Sequence, residues 1–138
     1  MDLPPNQHEL IKQLLKQLQT LENLAQDSFQ RRLVVLSGQE KWVQDTLLSL
    51  LPPLKSVKTL IISDQHTPFE GELSSALKLK TYLGSELDRI IWDGFSGLNP
   101  DSFGAASGLL RGGGLFFLLL PRLIFFFLLL LIFFPFLF

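Results

Sequence analysis

The chain opens with apolar residues spaced by threes and fours. Leu10, Ile11, Leu14, Leu15, Leu18, Leu21 and Ala25 alternate with Lys12, Gln13, Lys16 and Glu22. That spacing puts the apolar residues on one face of a helix and the polar ones on the other. Asn6 stands three positions before Glu9, just after Pro4-Pro5, so the helix is predicted to begin there with His8 solvated. The pattern then shortens. Leu33 to Leu36 is an apolar run stopped by Ser37-Gly38, the expected first strand. A helix from Gln39 to Leu51 follows, with Trp42, Val43, Leu47 and Leu50 on its apolar face and Pro52-Pro53 ending it. Lys58 to Ser63 reads as the second strand, Asp64 to Gly71 as a turn-rich connection, and Leu73 to Leu83 as a helix closed by Gly84. Arg89 to Asp93 reads as the third strand. Pro100 to Arg111 is predicted helical behind a cap at Asn99 and stopped by Gly112, Gly113 and Gly114, one of them left-handed. Leu115 to Leu120 is then a strand with no polar position.

A strand apolar on both sides must be covered on both faces, which is the mark of a parallel sheet between helix layers. The expected fold is therefore α/β: a Rossmann-like or flavodoxin-like three-layer domain with a four-stranded parallel sheet. It carries an amphipathic helix at its start and an apolar tail at its end. Right-handed crossovers leave few strand orders, and of these 2-1-3-4 is expected. That order sets the carboxyl ends of the first and third strands side by side, where open α/β sheets tend to bind ligands. Ser37, Gly38, Asp93, Gly94 and Ser96 would line the crevice.

Composition changes this picture mainly at the end of the chain. The 47% hydrophobic content is inflated by residues Leu123 to Phe138, every one of them Leu, Ile, Phe or Pro. The division expected is a domain at 1–121 and a low-complexity tail at 122–138. As a helix the last stretch would run about 24 Å, short of a hydrocarbon core of roughly 30 Å, and Pro135 weakens it. Leu, Ile and Phe share codons with U in the second position, so a T-rich or frame-shifted stretch yields the same composition. That reading is preferred here to a membrane anchor.

The net charge of -1 lacks the basic excess of a dedicated nucleic-acid binder, so any RNA contact must be local. Arg31, Arg32 and Lys41, grouped in sequence around the first strand, are the candidates. With no cysteine and two histidines, no structural metal is expected. The start of the chain has neither the basic residues nor the apolar stretch of a secretory signal, which favours a cytoplasmic origin.

Catalytic patterns are incomplete throughout. Ser37-Gly38 sits between strand and helix, the place of a phosphate-binding turn, but neither G-x-G-x-x-G nor G-x-x-x-x-G-K-[ST] occurs. Asp93 ends an apolar strand like the magnesium carboxylate of P-loop enzymes, yet has no phosphate loop to complete, and a turn-forming role fits it better. Ser96 lies in a Gly94-Phe95-Ser96-Gly97-Leu98 segment. With Asp93 and His66 it suggests a hydrolase nucleophile, but Leu98 stands where the second glycine is needed. The Gly112 to Gly114 run follows a helix, the reverse of a phosphate cradle.

Several of these residues also carry a family resemblance. Arg31-Arg32, Leu36-Ser37-Gly38 with Trp42, Leu83-Gly84, Asp93 to Gly97, Phe103-Gly104-Ala105, Ser107-Gly108, Leu110 and Arg111 fall in order across roughly Leu10 to Pro121. In these the chain resembles the N-terminal domain of bacterial tRNA(Met) cytidine acetyltransferases. The resemblance implies an enzyme that acetylates the wobble cytidine of elongator tRNA(Met), using acetyl-CoA and ATP or GTP hydrolysis. In that family the nucleotide and acetyl-CoA sites lie in later helicase-like and acetyltransferase modules. The present chain is thus expected to be an accessory domain, truncated or frame-disrupted at the tail, with no catalytic, cofactor or metal residues of its own and an architectural or tRNA-assisting role. The competing expectations are a membrane-tethered α/β interaction module, resting on the tail, and a free-standing small-ligand domain using the crevice.

Overall fold

The computed structural model describes residues 5–52 and 57–122. The expectations for the tail, whether membrane anchor or frame-shifted segment, fall on residues outside this range. No helix among the described residues is long and apolar enough to cross a membrane.

The elements run α1 (Pro5–Ser28), β1 (Arg32–Ser37), α2 (Glu40–Leu50), β2 (Thr59–Ile62), β3 (Glu72–Ser74), a 3-10 helix (Ala76–Tyr82), β4 (Leu87–Asp93), α3 (Pro100–Leu109) and β5 (Leu110–Leu120). All strand pairings are parallel, in the order β1-β5-β4-β2-β3. The α/β class and the parallel sheet are as expected; the strand count and the order are not. Among the described residues the sheet has five strands, and the strand expected at an edge lies inside it, between β1 and β4. The reason lies in burial. Residues Leu115 to Leu120 of β5 are all buried, so that strand needs neighbours on both sides and helices on both faces. β1 has an alternating pattern instead, with Leu33 and Val35 exposed, and can stand at the edge.

The two helix layers divide the core. Helices α1 and α2 pack with Ile61, Ile91, Leu115, Phe117 and Leu119 on one face. The 3-10 helix and α3 pack with Leu60, Ile62, Ile90, Trp92, Phe116 and Leu118 on the other. Trp92, Phe103 and Phe116 form a tilted aromatic chain with ring centroids 5.9 and 5.1 Å apart. By the register with β5, Leu33 and Val35 lie on this second face, beyond the reach of α3.

Two local expectations need correction. The stretch Leu73 to Leu83 is not one helix: its start pairs with β2 as β3, and a 3-10 helix follows. The glycines Gly112 to Gly114 do not stop α3, which ends at Leu109 and passes directly into β5. They form a bulge. Leu110 pairs with Leu87 and Leu115 with Arg89, so four residues of β5 lie opposite Asp88 alone. Gly113 takes the left-handed conformation there, φ 90°. The cap at Asn99 is present, its Oδ1 accepting from the backbone N–H of Asp101 and Ser102 at 3.0 and 3.2 Å.

Candidate functional site

Strand order decides where a crevice can form. The chain leaves β4 toward α3 on one face, and leaves β2 toward Phe69, which is packed on the opposite face. The switch point is therefore between β4 and β2, not between the first and third apolar runs as expected. Asp93, Gly94 and Ser96 remain together there, whereas Ser37 and Gly38 lie on the far side of β5. Their bonds show the separation: the Gly38 N–H donates to the Leu120 carbonyl at 3.2 Å and the Ser37 hydroxyl to the Pro121 carbonyl at 2.6 Å. The residues missed in the sequence are Ser63 and Gln65.

Asp93 is 2% exposed and ties the strand ends together. Ser63 Oγ donates to its Oδ2 at 2.7 Å, Gln65 Nε2 donates to the same oxygen at 3.2 Å, and the Phe95 N–H donates to Oδ1 at 3.1 Å. Gln65 Nε2 also reaches Glu40 Oε1 at 3.1 Å, joining this cluster to the start of α2. The Ser96 hydroxyl donates to the Asp93 carbonyl at 2.9 Å and accepts from the Asp64 N–H at 3.4 Å. His66 is exposed and has no part in these bonds. Ser63, the first polar residue after an apolar strand, carries the same signal as Asp93, and could have been paired with it. A buried carboxylate with three donors is a satisfied structural group. Among the described residues there is no group of three or more His, Cys, Asp or Glu that could hold a metal ion.

The cations grouped in sequence are not grouped in space. Arg31 and Arg32 are at the amino end of β1, while Lys41 is in the first turn of α2, beyond its carboxyl end. The strand between them spans about 17 to 20 Å. Lys41 shares its end of the sheet with Glu40, Asp64, Asp93 and Asp101.

The amino end is different in character. It brings Arg31, Arg32, Lys58, Arg89 and Arg111 together with Glu22, Asp27, Glu86 and Asp88. Arg89 is buried and paired with buried Glu22 at 3.5 Å, a residue placed on the polar face of α1 by its periodicity. Burial pushes the Arg89 guanidinium below its ordinary pKa, and Glu22 opposes that shift. Arg111 pairs with Asp88. A small polar cavity lies under both pairs, lined by Glu22, Gln26, Asp88, Arg89 and Arg111, with room for about one water.

Above this layer the segments at 29–32 and 110–113 are zipped together. The Gly113 N–H donates to the Gln30 carbonyl at 3.0 Å, and Arg31 Nε donates to the Leu110 carbonyl. Arg32 Nη2 donates to Gln30 Oε1 at 2.7 Å, and its Nε is buried with no hydrogen-bond partner among the described residues. Phe29, which sequence periodicity left unassigned, stands on this surface 82% exposed.

Comparison with known proteins finds relatives of this sequence. A family model described as "tRNA(Met) cytidine acetyltransferase TmcA, N-terminal" matches residues 4–124. A relative from Nitrosococcus halophilus (strain Nc4), named tRNA(Met) cytidine acetyltransferase TmcA, is 34% identical over 88 residues. The matched stretch is 64% of this chain and 12% of that relative.

Proposed function

This chain belongs to the family of tRNA(Met) cytidine acetyltransferase N-terminal domains, and from that premise we propose that it is a non-catalytic unit serving tRNA cytidine acetylation. In this reading its role is architectural, with an electrostatic contribution to holding tRNA from the amino end of the sheet. Arg31 and Arg32 are the principal contacts, with Lys58 and Arg111 beside them. Lys41, in acidic surroundings at the opposite end, is a separate and weaker contact.

The observation that carries the non-catalytic reading is how the carboxyl end uses its polar groups. The Gly38 N–H, which occupies the place of a phosphate-cradling amide, is bonded to Leu120. Asp93, which occupies the place of a magnesium carboxylate, accepts from Ser63, Gln65 and Phe95. These residues do not fit a nucleoside triphosphate. In this reading the domain itself supplies no nucleotide or acetyl-CoA site.

The test is turnover by the purified chain, supplied with ATP or GTP, acetyl-CoA and tRNA. No phosphate release or acetyl transfer above a buffer blank is expected. ATP turnover that disappears in an Asp93→Asn chain would overturn the reading.

A further inference from the structure

The end of α1 contains a residue of the wrong kind for its conformation. The Gln30 N–H donates to the Ala25 carbonyl at 3.0 Å and the Phe29 N–H to the Gln26 carbonyl at 3.3 Å. This pair of bonds is a Schellman closure, and its left-handed position ordinarily belongs to glycine. Here it holds Phe29, with φ 53°. A Cβ in this region is strained, and a bulky aromatic side chain there is a rare outlier. Nor does the ring gain burial in compensation, since Phe29 is 82% exposed. A position disfavoured both by backbone strain and by solvent exposure contributes nothing to stability that glycine would not supply better, which points to a use for the ring.

Its surroundings state the use. Gly112 lies directly against the Phe29 backbone: a Cβ there would stand 2.5 Å from the Phe29 carbonyl oxygen and 3.5 Å from the Phe29 Cβ. The next residue back is Arg111, and Arg31 lies across the Leu110 carbonyl. The Phe29 backbone is thus held by the approach of Gly112, which brings Arg111 to the same surface, with Arg31 and Arg32 two and three residues further along the chain. Asp88 takes up part of the Arg111 charge, and Asp27 is the nearby exposed carboxylate on α1. An open aromatic face beside arginines matches the chemistry of an unstacked nucleobase and its flanking phosphates.

We propose that Phe29 is a stacking platform for one unpaired base of RNA, with Arg31, Arg32 and Arg111 on the adjoining phosphates. This deepens the proposed tRNA contact and rests on it. It supplies the aromatic element that the sequence pattern of cations lacked, and it directs the contact to a single-stranded loop or end in place of a duplex.

The experiment is fluorescence anisotropy of the 138-residue chain with a labelled single-stranded oligoribonucleotide of mixed sequence, and with a blunt RNA duplex of equal length. The unsubstituted chain should bind the single strand more tightly. Phe29→Ala and Phe29→Gly should each weaken single-strand binding by roughly five- to a hundredfold and leave duplex binding nearly unchanged. Phe29→Tyr should retain it. Phe29→Gly should at the same time raise the midpoint of urea unfolding, so that stability and affinity move in opposite directions. Single-strand affinity unaltered in both Phe29 variants would overturn the platform and leave the electrostatic contact standing. Self-association of the chain that is lost in the Phe29 variants, with RNA affinity unchanged, would reassign the ring to a protein contact. No RNA binding by the unsubstituted chain would remove both the platform and the reading beneath it.

Discussion

Ser63 and Asp93, thirty residues apart in sequence, meet at the carboxyl ends of β2 and β4, with the serine hydroxyl 2.7 Å from a carboxylate that is 2% exposed. This bond closes the switch point of the sheet from within. The polar residue that ends each apolar strand is satisfied by the polar residue that ends its neighbour.

Replacing Asp93 by Ala should therefore act on stability. It leaves the Ser63 hydroxyl and the Phe95 N–H without their acceptor and takes one of two acceptors from the Gln65 amide, at a cost of about 2 to 4 kcal/mol. Ser63→Ala should cost less, about 1 to 2 kcal/mol, and the two changes together should cost less than their sum. Urea unfolding of the four proteins measures this. Asp93→Ala with an unchanged midpoint would show that the carboxylate is not structural.

Gly94 occupies a close approach. A Cβ at this position would lie 2.3 Å from the Leu119 carbonyl oxygen and 2.7 Å from Leu120 Cδ2, and the Gly94 N–H already donates to that carbonyl at 2.7 Å. Gly94→Ala must push β4 and β5 apart at their ends, and a loss of about 2 to 4 kcal/mol is expected. Gly104→Ala, on α3 where a Cβ meets nothing within 4 Å, is the control and should be neutral or stabilising. Equal midpoints for the two variants would contradict the strand-end packing.

The buried pair Glu22 and Arg89 anchors α1 to β4. Glu22→Gln removes the carboxylate at 3.5 Å from a buried guanidinium, with the charge of Asp88 remaining nearby, and should cost about 1 to 3 kcal/mol. A Glu22→Leu, Arg89→Met double variant should recover part of that loss, because removing both charges also removes both desolvation costs. A double variant less stable than either single change would show that the pair contributes more than its own neutralisation.

Tyr82 supplies a pH signal. Burial, and then the hydrogen bond to Glu72 Oε1 at 3.0 Å with the charge of that carboxylate, raise its pKa above the ordinary 10.0. The folded state therefore holds this proton more firmly than the unfolded state. Its contribution is complete below pH 10 and is lost as pH rises from there through the raised folded value. The chain has a single tyrosine, so tyrosinate absorbance reports this site alone. Glu72→Gln should move the titration to lower pH, and Tyr82→Phe should remove this part of the alkaline fall in stability. A titration unmoved by Glu72→Gln would place the cause of the shift elsewhere.

Strand identity was legible in the apolar runs, and so was the α/β class, because runs such as Leu115 to Leu120 admit only a strand covered on both faces. That same run also held information on strand order: a wholly apolar strand belongs inside the sheet, and Leu33 to Leu36, with polar residues close on both sides, belongs at an edge. β3 has three residues and no apolar run, so nothing in local pattern marked it. Glu22 was hidden by helical periodicity, which assigns a face but cannot show that Arg89 arrives on it from β4. Phe29 was hidden differently. A lone aromatic after a helix carries no periodic signal, and its meaning depends on a backbone angle and on the approach of Gly112.

The measurement that bears most directly on the proposed role is a titration of the chain with tRNA across a range of salt, repeated with Arg31→Ala, Arg32→Ala. Binding with a dissociation constant of about 1 to 100 µM at low salt is expected, weakening as salt rises. Each phosphate contact removed should lower the salt slope by roughly 0.7 to 0.9, so the double substitution should lower it by about 1.4 to 1.8 and weaken all tRNAs alike. No binding in that range, or a slope untouched by the two substitutions, would contradict an RNA-holding role for the amino end of the sheet.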